Sequence, residues 1–239
     1  MREAILCPKR GHFFMSSYDL TRLFIGVTLV FIIVIFAVVK FWPKNNRITT
    51  KFITKTAIFT ALSIILYTVP YLKFPVGFFP SFLELHFDEV PALIAGFAYG
   101  PLSGFFVILV KTIVKLPLTN TAGVGELADF IYSLLFVIPA AIIYRKRRKF
   151  VGAFTGLGIA TILQVLSASF LTAFVILDLY IKMMPGITYE GLCKMCNLPE
   201  LGWSFVLYIG IPFNLFKDVI VMVITLILYK RLHRLIDRI

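Results

Sequence analysis

Apolar runs of bilayer length leave this chain few ways to fold. Seven stretches, at about 20–42, 52–71, 89–100, 101–118, 124–144, 151–182 and 203–230, carry few charges. Roughly 20 apolar residues let a helix cross the hydrocarbon core of a membrane. Lipid offers no hydrogen bonds, so a spanning run must satisfy its own amides, as a helix does. The runs therefore predict an all-α integral membrane protein. Composition agrees: 59% of the residues are hydrophobic and 15% charged, against about half and a quarter in soluble domains.

Gly100-Pro101 breaks the third run from the fourth, because proline ends or begins a helix far more readily than it continues one. The expectation is six helices from residue 50 onward, with an additional transmembrane helix before them. Residues 1–46 are read as an N-terminal tail with that accessory helix, and 47–239 as a six-helix membrane domain.

The net charge of +12 could suggest nucleic acid, but the basic residues gather at the ends of the apolar runs. Arg47, Lys51 and Lys55 precede the second run, "RKRRK" occupies 145–149, and Lys230, Arg231, Arg234 and Arg238 lie near the C-terminus. This is how membrane topology is signalled. All three clusters fall on one side, the cytoplasmic one, if 89–100 and 101–118 cross separately. The segment before residue 89, the 118–124 turn and the 183–202 loop then face outside. No nucleic-acid partner is expected; the bilayer is.

Catalysis finds little support. The chain has no G-x-x-x-x-G-K-[ST] phosphate loop, no H-E-x-x-H and no G-x-S-x-G. His12, His86 and His233 are scattered, and no metal site or resident cofactor is expected. Cys193 and Cys196 form one C-x-x-C in a loop. It reads either as two ordinary cysteines or as a labile disulfide facing an oxidising exterior.

Ionisable groups inside spans carry more information, since their burial in lipid is costly. In "GIPFNLFKDVIVMVITLILYKRL" Lys217 stands thirteen residues before Lys230, about 20 Å up a helix from the basic end. Asn214, three residues earlier, shares its face. The two predict a polar pocket for a hydrogen-bonding ligand; the alternatives for Lys217 are snorkelling or pairing with Asp218. Lys111 is expected to pair with a carboxylate across the 118–124 turn, where Glu126 and Asp129 begin the next helix. Only Glu126 of these is a candidate ligand contact. On the second run Ala57 and Ala61 place small side chains one turn apart, a surface for close helix approach, either by a partner or within the bundle.

Between two spans lies "FFPSFLELHFDEVP", residues 78–91, too aromatic and acidic for a simple turn. With "GVGELADF" and "PFNLFKDVIVMVITLILYKRL" it resembles the riboflavin-specific substrate-binding (S) component of energy-coupling factor (ECF) vitamin transporters, over roughly residues 50–232. The resemblance implies a six-helix S component, not an enzyme, in a bacterial cell membrane with its C-terminus cytoplasmic. It would take up riboflavin as transported ligand and work with a membrane scaffold subunit and two cytoplasmic ATPase subunits. It also implies that Ala57 and Ala61 dock on the scaffold, that the loop at about 72–88 caps the ligand, and that Asn214 and Lys217 contact the flavin. Phe78, Phe79, Phe82 and Leu83 would cover the flat ring and Glu84 would accept its hydrogen bonds, while Asp88 and Glu89 would begin the next helix, facing its dipole. Thr172 stands where the family commonly carries an asparagine, a change that could permit FMN beside riboflavin. An S component for a different vitamin and a membrane-embedded enzyme acting on lipid are the alternatives.

Overall fold

The computed structural model describes residues 49–75, 77, 79–80, 83–119, 121–183 and 186–236. The first apolar run, and with it the accessory helix, lies outside the described residues, as do Phe78 and Phe82.

Helix α1 (Thr50–Thr68) opens on Thr49, whose hydroxyl accepts from the Phe52 amide, a cap that satisfies one of the free N–H groups of the first turn. The segment after it makes a two-residue antiparallel pairing of β1 (Phe74–Pro75) with β2 (Glu84–Leu85). Helices α2 (Glu89–Tyr99), α3 (Pro101–Lys115), α4 (Val124–Lys146) and α5 (Phe150–Leu171) follow. A π-helical turn at Thr172–Ile176 carries α5 on into α6 (Leu177–Met183). After α7 (Tyr189–Cys196) and the single turn α8 (Trp203–Phe205), a second π-helical segment, Val206–Gly210, leads into α9 (Ile211–Ile236).

Among the described residues, five helical stretches are long and apolar enough to cross a membrane: Thr50–Thr68, Pro101–Leu118, Val124–Lys146, Phe150–Met183 and Trp203–Arg231. The sixth expected span, α2, has only 11 residues, about 16 Å of helix. Gly100, with φ +98°, separates it from α3, and Pro101 is the first residue of α3. The break read from Gly-Pro is therefore real, and α2 is a short buried helix, enclosed by its neighbours along most of its length. Its enclosure rests on small residues. A Cβ on Gly104 would lie 2.8 Å from Val137, and one on Gly96 3.1 Å from Ala141. Any side chain there would push α2, α3 and α4 apart.

Helix α1 is unusual in which face it turns inward. Its buried residues are Thr56, Thr60, Ser63 and Tyr67, spaced 4, 3 and 4 along one stripe. Ile53, Ile58, Leu62 and Ile65 face outward, as suits a helix against lipid, where exposing aliphatic groups costs nothing. The inward stripe is held by hydrogen bonds: Thr56 and Ser103 hydroxyls lie 2.9 Å apart, and Ser63 donates to the Asp88 carbonyl at 2.7 Å. Ala57 and Ala61 lie on the exposed face. Among the described residues they take no part in packing within the bundle.

The 183–202 segment, expected as a loop, contains the helix α7. Thr188 caps α7 through its hydroxyl to the Gly191 amide, and Asn197 closes it in the left-handed region. Leu192, Cys193 and Cys196 face inward and pack with Leu198, Leu201 and Phe205. Cys193 and Cys196 are thiols, with no disulfide between them. Burial pushes the Cys196 thiol up to about 11. A raised thiol releases its proton only above that pH, so at pH 8 almost none is the reactive thiolate. Alkylation of Cys196 by iodoacetamide at pH 8, followed by mass spectrometry, is expected to be at least tenfold slower than in the detergent-denatured chain.

Candidate functional site

The polar residues singled out in the spans converge near one end of the bundle. A solvent-open cavity of about 110 Å³ is lined by Leu83, Glu84, His86, Gly125, Ala128, Asp129, Tyr132, Thr172, Ile176, Tyr180, Phe213, Asn214 and Lys217. The wall combines apolar side chains with a small number of fixed polar groups, which is what an oriented ligand site requires.

Each polar group is placed by its element. Asn214 and Lys217 share a face of α9, as their spacing predicts. The Asn214 side-chain amide donates to the Gly210 carbonyl at 2.8 Å, where the π-helical segment ends. One amide hydrogen is thereby used, and the amide plane is set against the helix. Thr172 begins the other π-helical segment and shares a 2.8 Å hydrogen bond with the Tyr132 hydroxyl. Such segments displace helical side chains and recur at functional sites. Here Thr172 and Ile176 of one segment line the cavity, and the end of the other holds Asn214 through the Gly210 carbonyl. Glu84 reaches the cavity from β2 while its carboxylate accepts from Lys73 at 2.6 Å, so the bridge ties the two ends of the 72–88 loop together.

Beneath this wall lies a network of buried charge. Lys217, 4% exposed, neither snorkels nor depends on Asp218. Its ammonium lies 3.2 Å from Glu89 and 3.8 Å from Asp129. Lys111, 1% exposed, donates to Asp88, to Asp129 at 2.9 Å and to Ser133 at 3.0 Å. The expected lysine–carboxylate pair across the turn is therefore present, with Asp129 as the partner. Asp88 also pairs with His86, and His86 Nε2 lies 3.5 Å from Asp129. Tyr67 closes the network from α1, its ring 4.8 Å from the Lys111 ammonium and 5.2 Å from the His86 ring. Asp218 is fully buried, and neither of its carboxylate oxygens has a hydrogen-bond partner among the described residues.

Asp88 and Glu89 do begin α2, but the helix dipole is a minor part of what they do. Both are fully buried and paired with lysines from α3 and α9. An unpaired charge at that depth would cost several kcal/mol.

Of the residues read as candidate contacts, the structure brings Leu83, Glu84, Thr172, Asn214 and Lys217 to the cavity. Phe79 stands behind the wall, edge-on to Phe213 with ring centroids 5.3 Å apart. Glu126 is not on the wall. It accepts from the Thr119 and Thr121 hydroxyls at 2.6 and 2.8 Å and so organises the turn before α4. Phe82 lies outside the described residues. Sequence reasoning missed His86, Asp129, Tyr132, Tyr180 and Phe213. Asp129 and Tyr132 had a legible signal, since both sit on one face of α4 at i, i+3.

Comparison with known proteins identifies the family. Residues 51–229 match the family model described as ECF transporter, substrate-specific component. The riboflavin transporter RibU of Staphylococcus aureus (strain TCH60) is 34% identical over 196 residues, 82% of this chain and 95% of that protein. The riboflavin transporter FmnP of Bacillus subtilis (strain 168) is 28% identical over 78% of this chain and 95% of its own length. A solved S component of a bacterial ECF transporter superposes with a TM-score of 0.63 at 31% identity, covering 77% of this chain and 96% of that one. With the family match spanning most of the chain and the cavity set among its helices, this multi-pass membrane protein belongs to the substrate-specific components of ECF transporters.

Proposed function

We propose that this chain binds riboflavin from outside the cell and delivers it inward as the S component of an ATP-driven importer. The observation that carries the proposal is the convergence of Asn214, Lys217 and Thr172 on one cavity, in a chain whose relatives are named riboflavin transporters. A flavin offers a broad apolar ring with hydrogen-bonding groups along one edge. Leu83, Ala128, Ile176 and Phe213 supply apolar area to bury the ring. Asn214, Thr172 and Lys217 supply donors and acceptors for its edge, and Glu84 an acceptor for the ribityl hydroxyls.

The 72–88 loop, held by its short β pairing and by Lys73–Glu84, acts as the cap over the ligand. Ala57 and Ala61, exposed on α1, form the surface that meets a membrane scaffold subunit, with two cytoplasmic ATPases supplying the energy. The basic clusters at 47–55, 145–149 and 230–238 favour a cytoplasmic C-terminus in a bacterial cell membrane. Thr172 presents a single hydroxyl to the ligand, which leaves the pocket less selective for the flavin edge and open to FMN.

The test is a visible absorbance spectrum and a fluorescence titration of the purified chain in detergent. Saturable quenching of riboflavin fluorescence is the expected result. Well-folded protein that neither carries nor quenches flavin would refute riboflavin as ligand and turn the search to other vitamins within the same family.

A further inference from the structure

Lys217 is a flexible side chain with a fixed address. An ammonium on a four-carbon stem has many rotamers of similar energy, so something outside the stem must aim it at the cavity. Two oxygens do this: Glu89 Oε1 at 3.2 Å and Asp129 Oδ1 at 3.8 Å. Each carboxylate is held in turn by a group that does not line the cavity, although His86, which does, also lies 3.5 Å from Asp129 Oδ1. Ser133 donates to the same Glu89 Oε1 at 3.1 Å. Lys111 donates to the other oxygen of Asp129, Oδ2, at 2.9 Å. Lys111 and Ser133 are themselves joined at 3.0 Å.

The pattern is a closed ring of contacts: Lys217, Glu89, Ser133, Lys111, Asp129 and back to Lys217. Lys111 spends its three hydrogens on Asp88, Asp129 and Ser133, so it has none left for a ligand. Ser133 is fully buried, and its hydroxyl both accepts and donates within the ring. Hydrogen-bond chains of this kind fix each member's orientation through its neighbours.

We propose that Ser133 and Lys111 are positioning residues for the ligand site, orienting the Lys217 ammonium through Glu89 and Asp129. The proposal rests on the reading of Lys217 as a ligand contact. It predicts that a hydroxyl with no access to the cavity controls affinity, and controls it only while Lys217 is present. Ser133 is the member to test, because its truncation removes one hydroxyl and leaves every charge in place.

The experiment is a double-mutant cycle read by riboflavin titration of the full chain in detergent. It compares wild type, Ser133→Ala, Lys217→Met and the double variant. Ser133→Ala is expected to weaken binding about tenfold in the wild-type background and less than twofold in the Lys217→Met background. Equal weakening in both backgrounds, or none in either, would overturn the proposal. A second readout needs no ligand: the rate at which acetic anhydride modifies Lys217, followed by mass spectrometry. Release of the ammonium in Ser133→Ala should raise that rate at least threefold, and an unchanged rate overturns the proposal. If wild type binds no riboflavin, the riboflavin reading fails and the labelling rate alone decides the positioning role. Should Ser133→Ala not fold, Ser133→Cys, close in volume with a weaker donor, carries the same expectations.

Discussion

Replacing Lys111 by methionine should be among the most damaging single changes to this fold. Lys111 is buried among Asp88, Asp129 and Ser133, and its loss leaves two carboxylates without their principal counter-charge. Breaking a buried ion pair by removing one partner costs about 3–5 kcal/mol, a large share of the 5–15 kcal/mol that holds a typical domain together. Methionine fills much the same space, so the loss is electrostatic and not a cavity effect. Thermal unfolding in detergent is expected to fall by about 10 °C or more, or the variant to aggregate during purification. The charge argument makes a sharper prediction about rescue. Lys111→Met combined with Asp88→Asn and Asp129→Asn removes the orphaned charges and should recover most of the lost stability, because a neutral buried set is tolerated far better than a half-paired one. If Lys111→Met melts like the wild type, these carboxylates do not depend on Lys111 and the network is drawn wrongly.

That network marks where reading the sequence stopped. Spacing along a helix tells which side chains share a face, and so it paired Asn214 with Lys217 and placed both inside the bundle. It also predicted that Lys111 pairs with a carboxylate across the short turn between α3 and α4, without choosing between Glu126 and Asp129. It could not find Glu89 as the partner of Lys217, 128 residues away. That contact depends on how α2 packs on α9, and helix crossing is not written in any local pattern. For the same reason Asp88 and Glu89 were explained by the nearest local effect, the helix dipole, when the lysines across the bundle dominate. Glu126 failed differently. Its position in the first turn of α4 was read correctly, but Thr119 and Thr121 claim its carboxylate, and short-range hydrogen bonds from a turn are set by loop geometry. The helix α7 carries a recognisable cap in Thr188 and a closing Asn197, signals that were present but lay in a segment read as loop. The π-helical segments at 172–176 and 206–210 left no such trace in the local sequence.

Replacing Lys217 should cost the most ligand affinity. A charged donor to a ligand acceptor in a dry site contributes about 1.5–3 kcal/mol, so Lys217→Met is expected to weaken riboflavin binding by roughly 100-fold. Asn214→Ala removes a neutral hydrogen-bonding group whose amide is already half engaged with Gly210. Its effect should be nearer tenfold. Thr172→Val keeps the shape but breaks the link to Tyr132, and belongs with Asn214 or below it. Glu126→Gln should leave affinity unchanged to within about twofold, because Glu126 serves the turn and not the wall. Lys217→Met also strands Glu89, so lost affinity must be separated from lost fold. Pairing Lys217→Met with Glu89→Gln removes both charges together. The double variant should unfold near the wild-type temperature and still bind at least thirtyfold more weakly. A double variant that binds riboflavin like wild type would mean that Lys217 stabilises the bundle without touching the ligand, and the hydrogen-bonding edge of the flavin would then have to face Asn214 and Thr172 alone.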